Sequence, residues 1–415
     1  MWRFIPVLAI FGFSTGLFAD EWPRFRGPNG TGSVNDPHLA TSWGSGDIVH
    51  RVAVPGRGNS SPIVVRGKLY LQSAGDDGHG RMLFCYDAES LELKWTAKVH
   101  GAPSRTHPKN SLASNTPAAD DRQVVSLFWD GESLHLYSFD HQGNELWHVP
   151  LGSFVSQHGA GHSPILHEGR VFVNLDQDGK AELLCFEAAT GKKLWSAARR
   201  AFRACYSTPF VRADGRHVEL IVASTAGITA YDPVSGTVRW NWDWTFEGKP
   251  LRNVGSPLAG PGLVLAVSGD GDGSRHLVAV APPTATSSPQ LLWEKKRGTP
   301  YVPCPLIHGE YIYWVNDNGF AGCVKARTGE TVYEERITAG VTASPVLLNG
   351  YIVAVDERGN VFSYPAEPTF SRPRRLALGE AVYASPAVAN GRLYIRGEKH
   401  IYVIATKGNR SGAGQ

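Results

Sequence analysis

Ten side chains able to hold a polar or anionic group gather at one recurring place in this chain. His107, Lys109 and Asn110 precede Thr116, Gln157 and His158 precede Ser163, Arg203 and Tyr206 precede Thr208, and Arg252 and Asn253 precede Ser256. Tyr301 holds the similar place before Cys304. His162 and Tyr383 share the location. Arginine stays charged at any working pH, and its planar fork binds a carboxylate bidentately. Arg203 and Arg252 sit at equivalent points of successive repeats with no acidic residue beside them, so a locally positive patch is expected there. One reading is a funnel of cationic, amide and aromatic groups for a sugar, a peptide loop or another anionic or polar ligand. The other is that these groups satisfy one another and water.

Other chemistry is weaker. Asp270-Gly271-Asp272-Gly273-Ser274 has the look of a calcium loop, but lacks the later glutamate and flanking helices of an EF-hand. Asp and Gly at a hairpin tip have a simpler cause, their tolerance of φ > 0. His158 and His162 come with no third ligand, so no metal is assigned. There is no G-x-S-x-G, P-loop or H-E-x-x-H pattern, and no catalytic residue is nominated.

What must position these residues is a repeat. Cys185–Trp195 reads CFEAATGKKLW: a strand, a turn at Thr190-Gly191, and an aromatic four residues after the glycine. The design returns at Phe139–Trp147, at Tyr231–Trp240, and at Tyr86–Trp95 with Leu91 in the glycine place. Degenerate copies end at Trp293 and Tyr333. A period of roughly 40–50 residues suits propeller blades. The second marker is a hydroxyl residue before proline: Ser61-Pro62, Thr116-Pro117, Ser163-Pro164, Thr208-Pro209, Ser256-Pro257, Ser344-Pro345 and Ser385-Pro386, with Cys304-Pro305 in the remaining slot. Proline is tolerated at the start of a strand or on an edge, which suits the innermost strand of a blade.

The expected fold is therefore all-β: an eight-bladed β-propeller of four-stranded antiparallel blades. The last repeat stops after three strands, and Ile48–Val54 lies ahead of the first marker as an orphan fourth. Joining them closes the ring and removes exposed edges. The seventh repeat has no docking aromatic. Trp147, Trp195 and Trp240 are expected to wedge between neighbouring blades.

Residues 1–19 form a short positive start, an apolar run and a small terminal residue, the pattern of a secretory signal. Residues 20–47 are read as an ordered arm on the surface, 48–407 as the propeller and 408–415 as a disordered tail. A periplasmic or secreted soluble protein is expected, with no transmembrane span after cleavage. The five cysteines form no CxxC and no adjacent pair, and read as small buried hydrophobes. Lys+Arg 41 against Asp+Glu 38, with no basic run, gives no footprint for nucleic acid.

The Ala189-Thr190-Gly191-Lys192-Lys193-Leu194-Trp195 element resembles the tryptophan-docking motif of the quinoprotein, or PQQ-like, eight-bladed propellers. The resemblance runs from Trp22 to about Lys407, and Trp22–Pro28 is similar to the start of many bacterial PQQ-like repeat proteins. That fold serves PQQ-dependent dehydrogenases and BamB-like assembly lipoproteins alike, so fold does not select function. The dehydrogenases carry an adjacent-cysteine disulfide and a calcium site beside a catalytic aspartate; this chain has no adjacent cysteines and no transferable motif for the calcium site. Trp242-Asp243-Trp244 is the nearest echo, and reads as a continuation of an outer strand. The BamB branch carries a lipidated cysteine, also missing near residue 19. The resemblance thus implies a binding or scaffold propeller for a protein partner or a polar or anionic ligand, with no cofactor expected. The alternative is a quinoprotein oxidoreductase using PQQ and calcium.

Overall fold

The computed structural model describes residues 21–215 and 217–406. The expected signal segment, residues 1–19, and the expected tail, residues 408–415, lie outside the described residues. Eight antiparallel sheets form the blades in chain order, each a meander. The ring closes as expected: Ile48–Ala53 pairs antiparallel with His400–Ala405 and completes the eighth blade. Among the described residues no helix is long and apolar enough to cross a membrane.

The docking motif has a packing logic. Each aromatic stands opposite a small residue on the neighbouring strand: Trp95 opposite Cys85, Trp147 opposite Ser138, Trp195 opposite Cys185, Trp240 opposite Ala230, Trp293 opposite Ala279 and Tyr333 opposite Cys323. Three of the five free, buried cysteines are therefore small residues at this position. The indole then covers the turn glycine of the next blade. Gly191 has φ +70, and a Cβ there would lie 2.7 Å from the Trp147 ring. Gly143, Gly236 and Gly329 meet Trp95, Trp195 and Trp293 in the same way. The Trp147 Nε1 donates to the Ala188 carbonyl at 2.9 Å, and Trp293 to Ala326 at 2.8 Å, tying blade to blade. Trp240 faces a blade that lacks the glycine; it is buried, and its Nε1 donates instead to Glu219 of its own sheet. Leu91 takes the glycine conformation, φ 55, and is buried there.

The hydroxyl–proline markers carry a second logic. Ser61 N–H donates to Thr116 Oγ1, Thr116 to Ser163 Oγ, Thr208 to Ser256 Oγ, Ser256 to Cys304 Sγ, Cys304 to Ser344 Oγ, Ser344 to Ser385 Oγ, and Ser385 back to Ser61 Oγ. The distances lie between 2.9 and 3.2 Å. Innermost strands have no neighbour of their own sheet toward the channel, and this belt satisfies leading N–H groups from blade to blade. At Asn349 and Asn390 φ is positive, as is that of the glycine after each, which is the type I′ geometry their hairpins require.

The N-terminal arm differs from the expectation. It lies across the channel rather than on the outer surface. Trp22 bridges Val64 of blade one, the Pro23 carbonyl accepts from Ala119 of blade two, and Arg26 donates to the Pro305 carbonyl ahead of blade six. Ser33–Val34 then pairs in parallel with the innermost strand of blade seven. Open strand edges lining the channel offer unpaired backbone groups, and the arm takes them.

Candidate functional site

A cavity of about 660 Å³ opens at the mouth of the channel. Phe25 of the arm lies at its inner end, together with the hydroxyls of Ser61, Thr116, Ser163, Thr208, Ser344 and Ser385. Nine of the ten candidate side chains line it: His107, Lys109, Asn110, Gln157, His158, Arg203, Tyr206, Arg252 and Tyr301. Asn253 does not. It is fully buried behind the wall, its Nδ2 donating to the Val267 carbonyl at 2.8 Å while its own carbonyl accepts from the Tyr206 N–H. Its role is to hold Tyr206, not to face a ligand. His162 is likewise buried, edge-on to Phe154 and beside Tyr206, with both ring nitrogens unpartnered. Burial pushes its pKa down to about 4.

The loop ahead of blade two reaches far over the mouth. The Lys109 ammonium contacts Glu357 of blade seven at 2.6 Å. Asn110 anchors the same loop to the carbonyls of His158 and Ala160. His107 packs edge-on against His158, with centroids 5.1 Å apart. Tyr206 bonds Ser156 at 2.5 Å, and burial outweighs that bond, raising its pKa to about 12.

The expectation of a locally positive patch around both arginines fails at Arg203. Arg203 Nη1 lies 2.6 Å from Asp270, a carboxylate only 12% exposed, so Arg203 belongs to an ion pair. Lys249 contacts Asp270 at 2.8 Å and Asp272 at 2.9 Å. Burial alone would raise the Asp270 carboxyl, but hydrogen bonds from Arg203 and Lys249 prevail and hold it far below the usual range. Asp317 accepts from the N–H groups of Tyr301 and Val302, and Arg275 stands 3.9 Å away, its guanidinium over the Tyr301 ring. These acids come from the second hairpin tips, which open on the same face as the loops that carry the cations. That shared face was the signal available in the sequence.

Arg252 differs from Arg203. Its guanidinium donates to His158 Nε2 at 3.0 Å and Gln157 Oε1 at 3.2 Å, and its Nε has no partner. No carboxylate pairs with it among the described residues. His158 is held below its ordinary pKa, first by burial and then by the charge of Arg252.

The wall does not fit a calcium–quinone site. Its two carboxylates, Asp270 and Asp317, already serve protein cations and backbone N–H groups, and no tryptophan faces the cavity. Trp242 and Asp243 lie on the outer strand Val238–Asp243. The described residues contain no cluster of His, Cys, Asp or Glu arranged for a metal.

Comparison with known proteins bears on the fold and the family. A protein named outer membrane protein assembly factor BamB, from Moranella endobia (strain PCIT), is 24% identical over 276 residues, 60% of this chain. The match spans 66% of that relative, just under two thirds of its length. The crystal structure of BamB from Moraxella catarrhalis superposes with a TM-score of 0.63 at 16% identity, covering 88% of this chain and 99% of that one. A europium-containing methanol dehydrogenase superposes at 0.68 with 11% identity, covering 93% and 98%. At such identities both likenesses speak to the fold alone. The family described as outer membrane protein assembly factor BamB matches residues 130–367, more than half of the sequence, and this eight-bladed PQQ-like propeller belongs to it.

Proposed function

We propose that the protein is an exported scaffold that holds a protein partner at the mouth of its channel. The observation that carries this is the rim. Phe202 is 61% exposed and Val155 55% exposed, beside Arg203 and Gln157 of the cavity wall. Both loops are pinned by one hairpin tip: Asp178 accepts from the Ala204 N–H, and its own N–H donates to the Val155 carbonyl. Large apolar side chains held out on ordered loops beside a polar cavity suit a partner that covers them. The relatives' names point to outer membrane protein assembly, and a periplasmic partner in that process is the reading we adopt.

The test is site-specific photocrosslinking in the native host. A photoreactive residue at Phe202 should give a discrete protein adduct, and one at Leu194, exposed on the outer strand of blade three, should not. Adducts from the outer strand alone would overturn the placement at the mouth. No gain in dye reduction on incubation with PQQ and calcium is the companion expectation.

A further inference from the structure

We propose that Arg252 anchors a carboxylate of an extended acidic segment of the partner, threaded into the cavity past Phe202 and Val155. This rests on the scaffold reading above and adds the chemistry of what is bound.

Four other cations line the cavity, and each faces a carboxylate: Lys109 meets Glu357, Arg203 and Lys249 meet Asp270, and Arg275 stands by Asp317. Arg252 alone has none among the described residues. It is also the most enclosed of the five, with 3% of its surface exposed. A guanidinium taken out of water without a countercharge is costly, and its neighbours His158 and Gln157 supply only neutral acceptors. The backbone does not let it swing away: Arg252 N–H and C=O both bond Gly269. A carboxylate arriving from the cavity would supply the missing charge in the bidentate geometry that arginine favours.

The source follows from the rim. A small dicarboxylate would sit wholly inside about 660 Å³ and leave Phe202 and Val155 bare. A polypeptide must cross the rim to reach Arg252 and covers them on the way. The paired cations around Arg252 disfavour a polyanion such as nucleic acid, because their charge is already neutralised.

The probe is a short fluorescein-labelled peptide of alternating glutamate and glycine, with its glutamine counterpart as control and glutarate as competitor. Fluorescence polarisation at physiological salt reads the affinity. The full chain should bind the glutamate peptide and not the glutamine one. Arg252→Gln should weaken binding about tenfold or more, the loss expected for a charge-assisted hydrogen bond. Should Arg252→Gln fail to fold, Gln157→Glu tests the same point at an exposed position, because it gives the guanidinium an internal carboxylate and should also cost about tenfold. Phe202→Ser should weaken the peptide and leave glutarate competition as in the wild type. Equal binding by the glutamine peptide, or full affinity in both Arg252→Gln and Gln157→Glu, overturns the anchor. Glutarate binding that is indifferent to Phe202, with no peptide binding, overturns the peptide source in favour of a small carboxylate. Crosslinking at Phe202 that persists in Arg252→Gln would leave the scaffold standing while the anchor falls, so the two failures read differently.

Discussion

Replacing Trp147 by alanine probes the joint between blades two and three. The indole is 8% exposed, donates to the Ala188 carbonyl at 2.9 Å, and covers Gly191 of the next blade. Its loss removes buried apolar surface, leaves a cavity and orphans a carbonyl, together about 3–5 kcal/mol. Gly191→Ala attacks the same joint from the other side. Alanine at φ +70 costs about 1–2 kcal/mol in backbone strain. Its methyl, 2.7 Å from the ring, adds an overpacking cost of about 1–3 kcal/mol. In the double variant the indole is gone, so the overpacking disappears and only the backbone strain remains. The double variant should therefore be less destabilised than the sum of the singles by about 1–3 kcal/mol. Equilibrium urea unfolding followed by far-UV circular dichroism measures all three, since the indole signal itself changes. Strict additivity, or a Trp147→Ala protein as stable as the wild type, would refute the blade-docking argument.

Other consequences can be checked in the same assay. Asp176→Asn leaves Arg199 buried without its bidentate partner, now at 2.8 and 3.0 Å, and should cost about 3–5 kcal/mol. Leu91→Gly relieves a left-handed leucine but gives up its buried side chain, for a net loss of about 1–3 kcal/mol; a more stable variant would mean that the burial counts for little. His162 is neutral in the fold with a pKa near 4, below its unfolded value of about 6.5, so the unfolded chain binds the extra proton between them. Stability attributable to it is intact above about pH 6.5 and falls by about 3 kcal/mol on acidification to about pH 4. The difference between the wild type and His162→Phe, which keeps the aromatic contacts with Phe154 and Tyr206, should follow that course. A difference that does not vary with pH would show that His162 is not the group responsible.

The fold was legible because its signals are local. A glycine and an aromatic four residues on, a hydroxyl before a proline, and an orphan strand ahead of the first repeat all lie within a few positions of one another, and each has one structural use in a propeller. The wall of the cavity is not local in that sense. Asp270 is 67 residues from Arg203, and Glu357 is 248 residues from Lys109. Whether such groups meet depends on how far each loop leans over the mouth, which no periodicity encodes. Arg203 and Arg252 occupy equivalent places in the repeat, yet one received a carboxylate from the next blade and the other a histidine and a glutamine. The path of the arm is not legible for the same reason: its residues have no period, and the open strand edges that hold it belong to blades one, two and seven. The hydroxyl belt accounts for this division. By holding the inner ends of neighbouring blades together at the seven joints named above, it makes the ring insensitive to what the loops above it carry. Those loops are then free to differ, and among the described cations that line the cavity Arg252 is the one they leave without a carboxylate.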